Sequence, residues 1–142
     1  MDTASPIEPA TLQSYQSALY RVDAEPPFML SLGMASEALG AFYKSPDAAS
    51  AAFITAHNPF GAPLPEAENV RRNAELEAVI KARSLRYFCG AGQDIKGEWP
   101  DEPSFLILGI ALEAAKKLGQ QFEQNAILWC GADATPTLVL LR

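Results

Sequence analysis

Twice in this chain one apolar, strand-like run follows another with no helix between them, and this limits the possible folds more than any other feature. "LRYFCG" (residues 85–90) leads to "SFLILG" (104–109) across the Gly- and Pro-marked loop "AGQDIKGEWPDEP". "AILWCG" (126–131) leads to "TLVLLR" (137–142) across "ADATP", the length and composition of a hairpin connection. Parallel neighbours need a long crossover, usually a helix, whereas antiparallel neighbours need only a turn. The pattern therefore favours an α+β domain over a purely parallel doubly wound sheet, which ranks second.

The remaining elements follow from periodicity. "FMLSLG" (28–33) and "AAFITA" (51–56) read as strands. "TLQSYQSALYRV" (11–22) reads as a helix, with Leu12, Tyr15, Leu19 and Val22 at helical spacing. In "ASEALGAFYKS", Ser36 caps a helix whose apolar face carries Leu39, Phe42 and Tyr43 and which stops at Ser45-Pro46. A third helix runs from Pro65, with Glu66 and Glu68 in its positive first turn, to about Arg83. In "IALEAAKKLG" (110–119), Ile110, Ala114 and Leu118 stack, Glu113 pairs with Lys117, and Gly119 closes the end. The expectation is a single α+β domain, with a mainly antiparallel or mixed sheet of about five to six strands and three to four helices.

At 142 residues the chain is long enough for one domain, and 49% apolar with 20% charged residues is ordinary for a soluble globular protein. Residues 1–10 read as a flexible arm and 11–142 as the domain. The start, "MDTASPIEPATLQ", has no charged region followed by an apolar one, and no apolar run is long enough for a bilayer, so cytoplasmic location is the default.

Net charge is −6, with eleven Lys and Arg against seventeen Asp and Glu. Nucleic-acid binders carry a basic stripe. Here the bases gather only at Arg71, Arg72, Lys81, Arg83 and Arg86, and Arg71 and Arg72 point about 100° apart on a helix, so nucleic acid is the least favoured partner. Cys89 and Cys130 lie in apolar runs without zinc or redox spacing and read as buried free thiols. With one histidine, a structural zinc site is excluded, and neither metal nor cofactor is expected.

Polar chemistry gathers where the strand at 51–56 gives way to the helix at 65–83, in "HNPFGAPLPEAENVRRNAEL". At about 100° per residue, Asn69, Arg72, Asn73, Leu76, Val79 and Ile80 share one face, polar at its N-terminal half and apolar beyond. A helix N-terminus with an arginine suits an anionic group. Asn58 before Pro59 also suits a turn, and buried amides can simply stitch loops to backbone. A second stripe, Ala67, Val70, Ala74 and Ala78, offers an alternative packing face. Glu102 enters an apolar strand, where a carboxylate needs a partner, and Arg72 is the expected one. Gln124 and Asn125 sit at the mouth of the strand at 126–131.

"AFITAHNPFG", "ENVRRNAELEAVI", "GEWPDEPSFLILGI" and "FEQNAILW" resemble, in order and spacing, an uncharacterised bacterial family, domain of unknown function 3293, from about Phe28 to Arg142. Its recurring positions fall on Thr55, Asn58, Pro59, Glu68, Asn69, Arg72, Asn73, Leu76, Glu102, Ser104, Phe105, Gln124, Asn125 and Ala126. His57 departs from it, since the family is associated with varied, often aromatic residues there. The resemblance implies that the polar positions act together, and implies no activity.

Two functions compete. One is a site for a small polar or anionic ligand at the strand–helix junction, bound by Asn58, Asn69, Arg72, Asn73 and Gln124, with Glu102, Glu68 and His57 the candidate acid/base groups. No nucleophile–base pair, phosphate-cradling loop or metal cluster accompanies them, so no reaction is assigned. The other is a non-catalytic protein-interaction or regulatory module in which those residues are structural and Phe60 and Trp99 are contact anchors.

Overall fold

The computed structural model describes residues 6–43 and 49–142. In chain order the elements are α1 (Pro9–Ser17), β1 (Leu19–Val22), β2 (Phe28–Leu30), α2 (Glu37–Gly40), β3 (Ala51–Ile54), α3 (Glu66–Ala82), β4 (Tyr87–Gln93), β5 (Glu102–Leu108), α4 (Leu112–Gln121), β6 (Ala126–Cys130) and β7 (Pro136–Leu140). The strands form one sheet in the order β2-β1-β4-β5-β3-β6-β7. Every neighbouring pair is antiparallel. The α+β expectation holds, with four helices but seven strands among the described residues rather than five or six. The expected arm and the Ser45-Pro46 helix stop fall wholly or partly outside the described residues; within them, Ile7 is buried and Pro9 opens α1.

The seventh strand is β1, which helical spacing had absorbed into the first helix. "LYRV" satisfies both periods, and pairing decides between them. Tyr20 and Val22 turn inward while Leu19 to Val22 match Gln93 to Gly90 on β4. α1 accordingly stops at Ser17, and it contains no buried residue. α2 is a single turn, capped as expected by Ser36, whose Oγ accepts from the Leu39 N–H at 3.0 Å.

The sheet is a half-barrel. Its inner face carries buried Tyr20, Val22, Leu30, Ala51, Phe53, Leu106, Leu108, Leu128 and Cys130, with the partly buried Phe88 of β4 and Leu138 of β7 beside them and Leu39 of α2 against it. The rings of Tyr20 and Phe53 meet edge-on with centroids 5.3 Å apart, although β4 and β5 lie between their strands. That contact requires a sheet curled around this face. Gly90 of β4 permits it: an added Cβ would collide with the Arg21 backbone carbonyl and press on the Phe53 ring. After β2 the chain reaches the far edge, where the Gly33 N–H donates to Pro136 O at 2.9 Å and Ser36 N–H to Ala134 O at 2.9 Å.

The outer face packs Ala52, Ile54, Phe105, Ile107 and Ile127 against Leu76 and Ile80 of α3 and Ala115 and Leu118 of α4. α3 turns inward the face expected from its periodicity, and the second stripe at Ala67, Val70, Ala74 and Ala78 is exposed. Gly119 does not end α4 but lies inside it, where a Cβ would strike Ile127 and Leu141; it sets how closely helix and sheet approach. Lys116, not Lys117, reaches Glu113, at 3.7 Å. Cys130 is buried, but Cys89 is exposed on a part of β4 that the helices leave uncovered. Among the described residues no helix is long and apolar enough to cross a membrane.

Because the clash at residue 90 is with backbone, Gly90→Ala has no side-chain escape. Urea unfolding of that variant is expected to show a loss of about 3 kcal/mol or more, or no cooperative transition at all. A loss below about 1 kcal/mol would mean that the sheet does not depend on this approach.

Candidate functional site

The junction between β3 and α3 brings together the five nominated ligand-binding residues, Asn58, Asn69, Arg72, Asn73 and Gln124, and spends their polar atoms on the chain itself. Asn73, buried on α3, accepts the Ala56 N–H on Oδ1 at 2.8 Å and donates Nδ2–H to Pro103 O at 2.9 Å, so one amide joins α3 to the exit of β3 and the entry of β5. Asn69 Oδ1 accepts the Asn58 N–H at 2.9 Å, and Asn69 Nδ2 donates to Asn58 Oδ1 at 2.8 Å. Asn58 Oδ1 also takes the Leu64 N–H at 3.1 Å. Asn58 itself sits at φ 47°, a left-handed conformation that asparagine tolerates better than most residues. The loop is thus closed by reciprocal amide bonds.

Arg72 extends this network to the far side. Nε donates to Ala56 O at 2.6 Å, and Nη2 donates to Phe122 O at 2.5 Å. Nη1 reaches Glu123 Oε1 at 3.4 Å, but the glutamate side chain is half exposed and this pair adds little beside the two carbonyl bonds. The expected Arg72–Glu102 pair does not form. Gln124 returns from the α4–β6 loop, donating Nε2–H to His57 O at 3.0 Å and Phe122 O at 3.1 Å. Thr55 adds a bond from Oγ1 to Pro103 O at 2.7 Å.

The acid/base candidates are dispersed. His57 is half-buried in the junction loop, and burial, then the Arg72 charge, lower its pKa from the ordinary histidine value. Glu68 is exposed on the first turn of α3. Glu102 lies elsewhere, at the start of β5 opposite Gly92 of β4, which in turn faces Tyr20 of β1. It shares the inner face with Leu106 and Leu108, two and three pleats along the same strand. Its carboxylate makes no hydrogen bond or ion pair with any described residue. Burial raises its pKa to about 7.

Four further groups, Tyr15, Tyr20, Asn125 and Arg142, gather at this end of the half-barrel. The Tyr20 hydroxyl donates to Tyr15 O of α1 at 2.6 Å, and Asn125 Nδ2 donates to the Tyr15 hydroxyl at 3.2 Å. Arg142 donates to Asn125 Oδ1 at 2.9 Å and lies 4.2 Å from the centre of the Phe60 ring. Helical spacing places Tyr15 correctly on the first helix but hides Tyr20, which lies on β1. The alternation of Tyr20 and Val22 was the available signal.

Fold and site together define a single-sheet α+β domain, a seven-stranded antiparallel half-barrel with a hydrogen-bonded junction on its outer side. A family model described as Protein of unknown function (DUF3293) matches residues 54–127, and the chain belongs to that family. The match begins at Ile54 of β3 and ends at Ile127 of β6, so it takes in the junction, α3, β4, β5, Glu102 and Asn125. No curated protein and no solved structure matches the chain.

Glu102 makes stability depend on pH in a defined direction. Its folded pKa of about 7 lies above the ordinary carboxylate value of 4.5, so folded and unfolded chains are both protonated below pH 4.5. As pH rises through 7 the folded state must ionise a partly buried group that the unfolded chain ionises freely, and stability is lost. Glu102→Gln is therefore expected to raise stability above pH 7 by on the order of 1–3 kcal/mol and to change it little near pH 4. Melting curves for both proteins across this range check it; an equal effect at both ends would exclude titration of Glu102 as the cause.

Proposed function

We propose that this chain is a non-catalytic interaction or regulatory module whose strand–helix junction is a structural clasp. The supporting observation is that Asn58, Asn69, Arg72, Asn73 and Gln124 direct their polar atoms to backbone and to one another, joining β3, α3, the entry of β5 and the α4–β6 loop. Groups used in this way have little capacity left to hold a ligand. The three acid/base candidates also face different surroundings and share no reacting centre.

On this reading Phe60, 45% exposed in the loop beside the clasp, is the anchor best placed to meet a partner, because the clasp holds its backbone rigid. Trp99 packs partly against the inner core and contributes less.

Arg72→Ala and Asn73→Ala separate clasp from ligand site. Each leaves buried backbone groups without partners and is expected to lower stability by about 2–4 kcal/mol in denaturant unfolding. A thermal-shift panel of metabolites and nucleotides, run beside them, is expected to give no stabilisation that depends on either residue. A compound that stabilises the wild type, while Arg72→Ala folds as well as wild type and ignores it, would make the junction a ligand site instead.

A further inference from the structure

The sheet ends at β2 on one side and at β7 on the other, and these two edges are defended unequally. An open edge offers unpaired N–H and C=O groups to any strand that reaches it, and monomeric proteins blunt such edges with proline, charge, bulges or very short strands. β2 is three residues long and follows directly on Pro26 and Pro27. β7 is protected only at its start. Pro136 has no N–H to offer, and its carbonyl and that of Ala134 take the N–H groups of Gly33 and Ser36, both at 2.9 Å.

Those two bonds also fix which residues of β7 face outward. Backbone groups two residues apart point to the same side of a strand, so Leu138 and Leu140 follow Ala134 and Pro136. Leu141 agrees from the opposite side, because its N–H turns back toward β6 and donates to Asn125 O at 2.8 Å. The N–H and C=O of Leu138 and Leu140 therefore point away from β6, and among the described residues nothing bonds to them. The side chains around these groups are apolar on both faces of the sheet. Leu138 packs partly against the inner core, Val139 and Leu141 partly against the outer one, and Leu140 is 41% exposed. Residues 137–141, "TLVLL", carry no charge and no proline.

We propose that β7 pairs antiparallel with β7 of a second copy of this chain, across a two-fold axis at Val139, so that two half-barrels share one continuous sheet. An axis there sets Leu138 opposite Leu140 of the second copy, and Leu140 opposite its Leu138, so the outward N–H and C=O groups of each find their complements. The side chains match in the same register. Leucine meets leucine on the inner face, and on the outer face Val139 meets its own copy, with Thr137 opposite Leu141. Within residues 137–141 no like charges are brought together. The pairing needs no bond from Ala134 or Pro136, whose carbonyls the Gly33–Ser36 segment already uses.

A strand from another protein would meet the same open groups; the self-complementary row of side chains is what selects a second copy. A two-fold contact uses the same edge on both partners and so closes at the dimer. Only β7 is involved, so the pairing is independent of how the junction between β3 and α3 is used.

Sedimentation velocity of the full chain, from about 1 μM to about 500 μM in about 0.15 M salt, tests this, the salt screening repulsion between copies of net charge −6. A reversible monomer–dimer equilibrium is expected, with nothing larger. Leu140→Lys puts a charge at an exposed position on the edge, and is expected to weaken the dimer about tenfold or more while leaving the melting temperature within a few degrees of wild type. Hydrogen exchange on the wild type gives a readout that depends on no variant. The amides of Leu138 and Leu140 should exchange freely at the lowest concentration and become protected in step with the dimer. Val70→Lys, which charges an exposed apolar position on α3, should leave the equilibrium unchanged. A monomer throughout the range, a dimer that folded Leu140→Lys does not weaken, a dimer whose Leu138 and Leu140 amides stay unprotected, or growth beyond the dimer would each overturn the proposal.

Discussion

The side-chain amide of Asn73 is the interaction on which the rest of the structure leans. The β3–β5 ladder ends at the pair Ile54 and Phe105, and both the Ala56 N–H and the Pro103 carbonyl lie just beyond it. One buried amide answers both, accepting from the first and donating to the second. Because Asn73 sits one turn before Leu76 on the same face of α3, the bonds also fix how that helix lies on the outer face of the sheet. Arg72, one residue earlier, carries the tie across to the loop after α4 through Ala56 O and Phe122 O. A helix whose surface is mostly polar is thereby held in place by few apolar contacts and several bonds to backbone.

The other organising constraint is curvature. A seven-stranded antiparallel sheet left open would expose one apolar face, and the single turn of α2 covers it only with Leu39. Curling resolves this, because the face closes on itself and Tyr20 meets Phe53 across two intervening strands. β4 accommodates the curl with glycine at 90, where a Cβ would collide with the Arg21 carbonyl of the neighbouring strand. The half-barrel then has an end, and Glu102, Tyr15, Tyr20 and Asn125 are brought to it from four separate segments.

The polar residues of the segment that the family model matches divide into two populations by their surroundings. Those at the junction are satisfied by backbone and stabilise the loop they belong to. Glu102 is different: it is partly buried, without a partner among the described residues, and harder to ionise than a carboxylate in water. A glutamine at the same place would avoid that penalty, so the acid costs the fold something and is chemically informative in a way that the amides are not.

Much was legible in the sequence alone. The helix-forming stretch 66–82, its inward face of Asn69, Asn73, Leu76 and Ile80, the Ser36 cap and the antiparallel pairing of the last four strands all follow from local spacing and turn chemistry, which act over a few residues. What spacing could not settle was any choice made by partners distant in the chain. "LYRV" became a strand because β4 was there to pair with it, Gly119 stayed inside α4 because Ile127 needed the space, and Arg72 chose two carbonyls over Glu102 because the α4–β6 loop arrives beside it and β5 carries the carboxylate to the opposite face. Local periodicity is written residue by residue, but the partner of a buried charge is set by how the sheet curls, and only the folded chain decides that.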